Sequence, residues 1–369
     1  MIKIVHCADV HLDSPFIVGN PRDAGLKRME LRSTFTSFIM SAKNYGARLV
    51  LISGDLFDDS YISKDTANLL QREMASFSEC RFFISPGDSD PYHSKSPYKM
   101  MKWSDNVHIF KSNDMTRIEV PELNLDVYGY AFTDKTLQTN PFTNRKPQNP
   151  SRINILVGHG DTMRGSLYCP ISAGDIERSG FDYVALGHLH ETTGIIQIGE
   201  SYLAYPGCLE GKNFEETGTK GAIVGEVEKS SCELKGVRYS KRKYEVIEID
   251  ISQYITETQI MDAIQIAIVN FGEETALRIV LTGTVRPNFA FNPVELEKRI
   301  EGLHFVQILN KTRPYVDIEV LRRDRTVKGI FYRRLEEMLN SSDEKEREKA
   351  KATLRYGLNA FASLNIIDF

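Results

Sequence analysis

Five short apolar runs in this chain each end in a cluster of Asp, Gly or His, and that recurrence restricts the fold more than any other feature. Ile2–Val5 leads into Ala8-Asp9-Val10-His11, Leu49–Ile52 into Ser53-Gly54-Asp55, and Arg81–Ile84 into Pro86-Gly87-Asp88-Ser89-Asp90. Ile153–Val157 leads into Gly158-His159-Gly160-Asp161, and Tyr183–Leu186 into Gly187-His188-Leu189-His190. Short continuous apolar runs mark strands buried on both faces, and polar residues just past their C-terminal ends are where open sheets carry ligand sites. Helical periodicity fills the gaps at Leu26–Tyr45 and Asp65–Ser78. The expectation is an α/β layered domain with its chemistry along one edge of the sheets.

Taken singly, these polar residues are ordinary: Asp after Gly is common in turns, and a buried His is usually a hydrogen-bonded core residue. The ordered set is not. Asp9 and His11 stand at i and i+2, as do His188 and His190, so each pair shares a face if the strand direction continues. Asp55, Asp88 and His159 each follow a Gly, expected on tight turns whose backbone a side chain would oppose. Carboxylates can bridge two cations, and imidazole suits Mn, Fe and Zn better than Mg or Ca. Mixed ligation in this number fits two metals ~3.5–4 Å apart, the arrangement that clamps both oxygens of an in-line phosphoryl displacement.

Bulk properties set limits around that site. The 369 residues are 41% hydrophobic, enough for two or three domains. No window reaches the ~18 apolar residues of a membrane span, and Met1–His6 is too soon interrupted to be a signal peptide, so a soluble cytoplasmic protein is expected. Cys7, Cys80, Cys169, Cys208 and Cys232 form no CxxC pair, which fits free core thiols in a reducing compartment rather than thiolate-bound zinc. A net charge of -4 argues against a generic nucleic-acid binder, although basic residues gather at Lys235–Lys243 and at Arg322–Lys328.

The texture changes near Lys243. Strands are expected at Tyr244–Ile251, Leu277–Thr284 and Phe305–Lys311, and helices at Thr256–Phe271 (with Thr256 as N-cap) and Pro293–Leu303. This small α/β module has no metal-type residues at its strand ends. Val327–Phe369 reads as helical around a charged centre at Ser341–Lys351. Gly329, Ile330, Phe331, Leu335 and Met338 give one apolar face, and Leu354, Leu358, Phe361 and Leu364 another. Thr133–Arg152, rich in Asn, Pro and Thr, reads as a surface loop.

The order Asp-x-His, Gly-Asp, Gly-Asp-x-Asp, Gly-His, Gly-His-x-His resembles the signature of the calcineurin-like metallophosphoesterases. Ala8-Asp9-Val10-His11-Leu12-Asp13-Ser14-Pro15-Phe16, Ser53-Gly54-Asp55-Leu56-Phe57-Asp58, Ala185–His190 and Tyr205-Pro206-Gly207-Cys208-Leu209-Glu210-Gly211 look like the DNA repair nuclease branch, the SbcD/YhaO group. The likeness spans essentially the whole chain and is looser after about Lys243. It implies a β-sandwich flanked by helices over residues 1–243, a capping domain that guides DNA over 244–320, and a helical tail over 321–369 that binds an SMC-like ATPase of the SbcC or YhaN type. A second copy of the chain is a further expected partner. It also implies that Asp9, His11, Asp55 and His190 hold one metal, and that Asp55 bridges to a second held by Asp88, His159 and His188. Manganese is the metal implied, with iron, zinc or magnesium as alternatives.

One motif departs from the pattern. Where the family has Gly-Asn-His-Asp, this chain has Gly87-Asp88-Ser89-Asp90. Asp88 keeps an oxygen ligand and adds negative charge. Ser89 replaces the imidazole that would serve the leaving oxygen, and losing a general acid typically costs ~10²–10⁴-fold in rate. The catalytic expectation therefore rests on Asp90, on Ser89 as the altered position, and on His93 as a substitute acid. Arg238, Lys241, Arg242 and Lys243 are the residues expected to touch DNA phosphates. The leading reading is a DNA phosphodiesterase of reduced activity. A metal-bound DNA-end-binding scaffold and a phosphoesterase for small nucleotides are the alternatives.

Overall fold

The computed structural model describes residues 1–15, 21–58, 62–286, 289–315 and 317–363. Phe16 of the first motif, Leu364 of the tail's second apolar face and the last five residues lie outside the described residues.

The apolar runs become the strands of two facing sheets. In the first, β1 (Ile2–Cys7), β2 (Leu49–Ile52), β3 (Arg81–Ile84) and β4 (Val107–Ile109) lie parallel in that order. The second takes β5 (Thr116–Val120), β6 (Leu125–Gly129), β7 (Ile153–His159), β8 (Tyr183–Gly187), β9 (Gly194–Ile198) and β10 (Ser201–Tyr205), in the order β5-β6-β7-β8-β10-β9. Its four inner strands are parallel and its two edges antiparallel. Beyond β1 the first sheet is completed by β11 (Gly221–Glu228) and β12 (Ser231–Arg238), each antiparallel to its neighbour.

The side-chain period of a strand explains the layering. On β2, Leu49 and Leu51 pack with Val127, Ile155 and Ala185 of the second sheet. Val50 and Ile52 point the other way, under Phe35 and Phe38 of α1 (Pro21–Tyr45) and Leu70 and Met74 of α2 (Lys64–Ala75). A strand buried on both faces must be apolar throughout, and each such side chain stabilises the fold by ~1.5–3 kcal/mol. After the short α3 (Pro97–Met100), α4 (Ala173–Ser179) covers the outer face of the second sheet, with Ile176 against Leu156, Val184 and Leu186. The sandwich flanked by helices is as expected.

Helix ends follow their caps. The Ser63 side chain accepts from Thr66 N–H to open α2, and a Ser172–Asp175 capping box opens α4, which closes on left-handed Gly180. The loop at Thr133–Arg152 is irregular but anchored, because Leu137 and Phe142 are buried beside the α4 core. The five cysteines are free thiols, and all but Cys232 are buried.

The chain divides into two compact units, one of residues 1–247, 270–278 and 300–307, the other of 248–269, 279–299 and 308–369. β13 (Lys243–Asp250), β14 (Thr275–Thr282) and β16 (Phe305–Asn310) make a three-stranded sheet in the order β13-β14-β16, and β15 (Thr284–Val285) pairs with β17 (Arg313–Pro314). α5 (Glu257–Ile268) starts where expected, with the Thr256 side chain accepting from Gln259 N–H. α6 (Pro293–Glu297) stops short of Leu303, and the chain turns through Gly302, whose φ of 80° no α-helix continues. α7 (Ile318–Arg323) was not expected as a separate helix. The tail forms α8 (Val327–Leu339) and α9 (Glu344–Ser363), and α8 buries Gly329, Tyr332 and Leu335 while expected Ile330 is exposed. No described helix is long and apolar enough to cross a membrane.

Candidate metal centre

The C-terminal ends of β1, β2 and β3 from one sheet meet those of β7 and β8 from the other. Ser53 marks the seam: its hydroxyl donates to the Ala185 carbonyl at 2.9 Å, and its own carbonyl accepts from His159 Nδ1 at 2.9 Å. The His188 N–H donates across the same seam to both oxygens of Asp9, at 3.1 Å each. The ligand-type residues therefore collect at one edge.

They do so in a strained backbone rather than along continuing strands. Asp9 and His11 each have φ 49°, Asp55 has 51° and His188 has 107°. Non-Gly residues held at positive φ cost about 1–3 kcal/mol each and concentrate at functional sites. The i, i+2 pairs thus share a target without the strand geometry expected of them. The glycines also differ from expectation, for only Gly54 needs its positive φ, 86°. Gly87 and Gly158 provide close approach, of Asp55 and the Tyr130 ring respectively, and His159 is the last residue of β7 rather than a turn residue.

Two clusters result, with one carboxylate pair between them. Asp9, His11 and His190 bring ligand atoms together, as do Asp88, His159 and His188, and Asp9, Asp55 and His159 form a set joining the two. His11 Nδ1 pairs with Asp58 Oδ1 at 2.7 Å, and His190 Nδ1 with Glu216 Oε1 at 2.6 Å. With those protons on Nδ1, both Nε2 atoms carry lone pairs, yet they face each other at 3.2 Å. His159 Nδ1 donates to Ser53, which leaves its Nε2 directed at Asp88 Oδ1 at 2.9 Å. Lone pairs turned on one another at these distances call for a cation between them, and 3.2 Å suits two imidazole nitrogens each ~2.1 Å from one ion. The donor set fits two divalent metals.

The electrostatics agree. Burial opposes charge on His159, yet Asp55, Asp88 and Asp9 around it raise its pKa to about 10. Burial would raise Asp88, but the imidazoles of His159 and His188 hold it far below the usual carboxylate range. Without a cation, this much buried negative charge draws protons onto the imidazoles instead.

The calcineurin-like phosphoesterase family pattern matches residues 2–192, a little over half of the chain. The chain belongs to the calcineurin-like phosphoesterases. Among its relatives is YhaO of Bacillus subtilis, an uncharacterized metallophosphoesterase, 26% identical over 302 residues that are 77% of this chain and 72% of that one. The SbcD component of the nuclease SbcCD is 26% identical in Staphylococcus saprophyticus over 291 residues, covering 69% of this chain and 74% of that one. In Staphylococcus epidermidis it is 27% identical over 293 residues, covering 69% and 75%. A dimetal phosphatase from Danio rerio superposes over 64% of this chain and 96% of its own, at a TM-score of 0.43 and 9% identity.

The other expected site residues are placed as follows. Asp90 is fully buried and does not line the cavity. Its oxygens accept from the N–H groups of Asp55, Leu56 and Gly87 and from the Tyr98 hydroxyl, at 2.6–3.1 Å. These bonds pin the loops after β2 and β3 together. Burial and nearby Asp55 raise its pKa to about 7. Ser89 and His93 do line a cavity of about 690 Å³ together with His11, Asp88, Lys135 and Lys212. Arg242 pairs with Glu30 at 2.6 Å and Lys243 with Glu245 at 2.6 Å, while Lys241 donates to the Ser33 hydroxyl and Arg238 to the Ser240 carbonyl. Sequence reasoning missed Asp58, Glu216 and Lys212. Ligating imidazoles nearly always hold a carboxylate or carbonyl on the other nitrogen, which predicts that such partners exist but not where in the chain they come from.

Proposed function

We propose that this protein is a divalent-metal-dependent phosphodiesterase acting on DNA, working in the cytoplasm as the nuclease partner of an SMC-like ATPase. The observation that carries the chemistry is the pair of clusters in which four imidazoles and three carboxylates converge. The choice of DNA is supported by the likeness to proteins named as nuclease components, at 26–27% identity. Asp9, His11, Asp55 and His190 would hold one ion, and Asp55, Asp88, His159 and His188 the other. Manganese, in keeping with the resemblance, would supply Lewis acidity toward phosphate oxygens and acidify water when bound.

The protein's own groups do the rest. Lys135 and Lys212 put ammonium charge on the cavity wall, where a phosphodiester oxygen can be held. Ser89 offers a hydroxyl that does not titrate near neutral pH, so it can orient the leaving oxygen but cannot protonate it. His93 lines the same cavity and is the nearest titratable group of the right kind in the sequence. Asp88 adds negative charge beside the phosphate. Slow turnover is the expected result.

Wild type, Ser89→His and His93→Ala are to be assayed with Mn²⁺ on labelled duplex and single-stranded DNA and on bis-p-nitrophenyl phosphate. Restoring the imidazole should raise DNA cleavage by at least ~10²-fold. Equal rates in wild type and Ser89→His would show that Ser89 is not limiting. DNA binding with no turnover in any variant would support a metal-bound scaffold, and turnover of the small ester alone a nucleotide substrate.

A further inference from the structure

The segment from Tyr205 to Gly211 stands out in the sequence but supplies no metal ligand. In the structure the loop between β10 and β11 wraps around one ligand, His190. Gly207 (φ 75°) passes so closely that a Cβ there would sit 2.9 Å from the His190 carbonyl oxygen. That oxygen accepts from the Cys208 N–H at 3.2 Å and from the Lys220 ammonium at 3.1 Å. The imidazole Nδ1–H donates to Glu216 Oε1 at 2.6 Å, and Glu216 Oε2 in turn accepts from the Lys212 N–H at 2.6 Å. Glu216 is only 7% exposed, so these bonds are not shared with bulk water.

We infer that Glu216 is a positioning residue for the metal cluster of Asp9, His11 and His190, fixing the His190 tautomer and ring so that its Nε2 meets that of His11. The inference rests on the two-metal reading proposed above. His190 lies past the end of β8, two residues after the positive-φ His188, and its side chain is 31% exposed. The 206–220 loop holds it through both the main chain and the ring. A carboxylate behind an imidazole also raises its basicity as a ligand. Asp58 stands in the same relation to His11, whereas His159 has only the neutral Ser53 carbonyl behind it. Both imidazoles of the first cluster are thus carboxylate-backed at hydrogen-bond distance, whereas in the second the Nε2 of His188 stands 4.0 Å from Asp161 Oδ2.

Isothermal titration of the full-length protein with Mn²⁺ tests this without reference to turnover. Wild type should take up two ions. Glu216→Ala should weaken one of them by about 10–100-fold and leave the other unchanged, with Glu216→Gln intermediate because its carbonyl still accepts from Nδ1 but carries no charge. Thermal unfolding in EDTA should be the same for wild type and Glu216→Gln, separating ligand positioning from general stability. Glu210→Gln serves as a control, since that buried carboxylate of the same loop bonds Thr34, Lys241 and Arg242 and touches no ligand. Wild-type affinity at both sites in both Glu216 variants would overturn the inference, as would an equal loss in Glu210→Gln. Uptake of no ion by wild type would instead overturn the metal centre itself, a result distinguishable from either.

Discussion

His6 shows how a residue of a ligand-rich sequence can be purely structural. It lies on β1 only three positions before Asp9, yet it is fully buried, and its Nδ1 accepts from the Tyr183 hydroxyl at 2.8 Å. Burial lowers its pKa to about 3, from an unfolded value of ~6.5. The folded state thus binds fewer protons than the unfolded one, and the stability it keeps above pH ~6.5 is lost progressively as pH falls toward 3. The loss approaches about 1.4 kcal/mol per pH unit well inside that window. Urea unfolding of wild type and His6→Asn between pH 7 and 4 checks it, taking the metal-free protein in both cases. A smaller slope for His6→Asn is expected, and identical slopes would assign the acid sensitivity elsewhere. Asp90 makes the complementary point, for a buried residue of the signature motif accepts from the backbone N–H groups of Asp55, Leu56 and Gly87.

At the scale of elements, the centre depends on how closely two strand ends approach. A Cβ on Gly187 at the end of β8 would overlap the Ser53 carbonyl oxygen after β2 and crowd Ala8 after β1. Those are backbone and core atoms that cannot rotate away. Gly187→Ala should therefore destabilise the fold by ~1–3 kcal/mol and weaken Mn²⁺ binding, as the seam holding His188 and His159 is forced open. Gly236→Ala on β12, where an added Cβ meets nothing within 4 Å, is the matched control and should cost little. Equal effects of the two substitutions, read from urea midpoints, would remove the seam from the explanation. The proposed ligand residues Asp9, His11, Asp55 and His188, all at positive φ, belong to the same account, since bonds such as those of Asp90 between the loops after β2 and β3, and of Ser53 across the two sheets, hold this edge together.

For the molecule as a whole, the proposed ATPase partner needs an apolar surface that the chain does not cover itself. Val327 and Ile330 on α8 are 66% and 45% exposed, while Tyr332 and Leu335 on the same helix are buried and keep it folded. Val327→Glu with Ile330→Glu should abolish co-elution with a candidate SMC-like ATPase and leave the melting temperature unchanged. Undiminished co-elution would take this face out of the interface. Point charges are preferable to deleting the tail, because residues 308–369 belong to the same compact unit as 248–269 and 279–299.

The sequence alone determined the α/β layering, the strand-end placement of the proposed ligands and which seven side chains gather there, because apolar runs buried on both faces and the residues that follow them are local patterns; the sandwich itself came from the family resemblance. It also located the altered position at Ser89. Only the tertiary structure decided what stands behind those side chains. Asp58 follows His11 by 47 residues, Glu216 follows His190 by 26, and Ser53 precedes His159 by 106. Nothing local distinguishes these partners from other carboxylates and carbonyls. The roles of Gly87 and Gly158 differ from the expected turns for the same reason: a close approach depends on an atom from elsewhere in the chain, whereas a turn depends only on its own residues. Hydrogen bonds across such separations are fixed by packing, so the orientation of the metal centre becomes visible only once the two sheets are placed face to face.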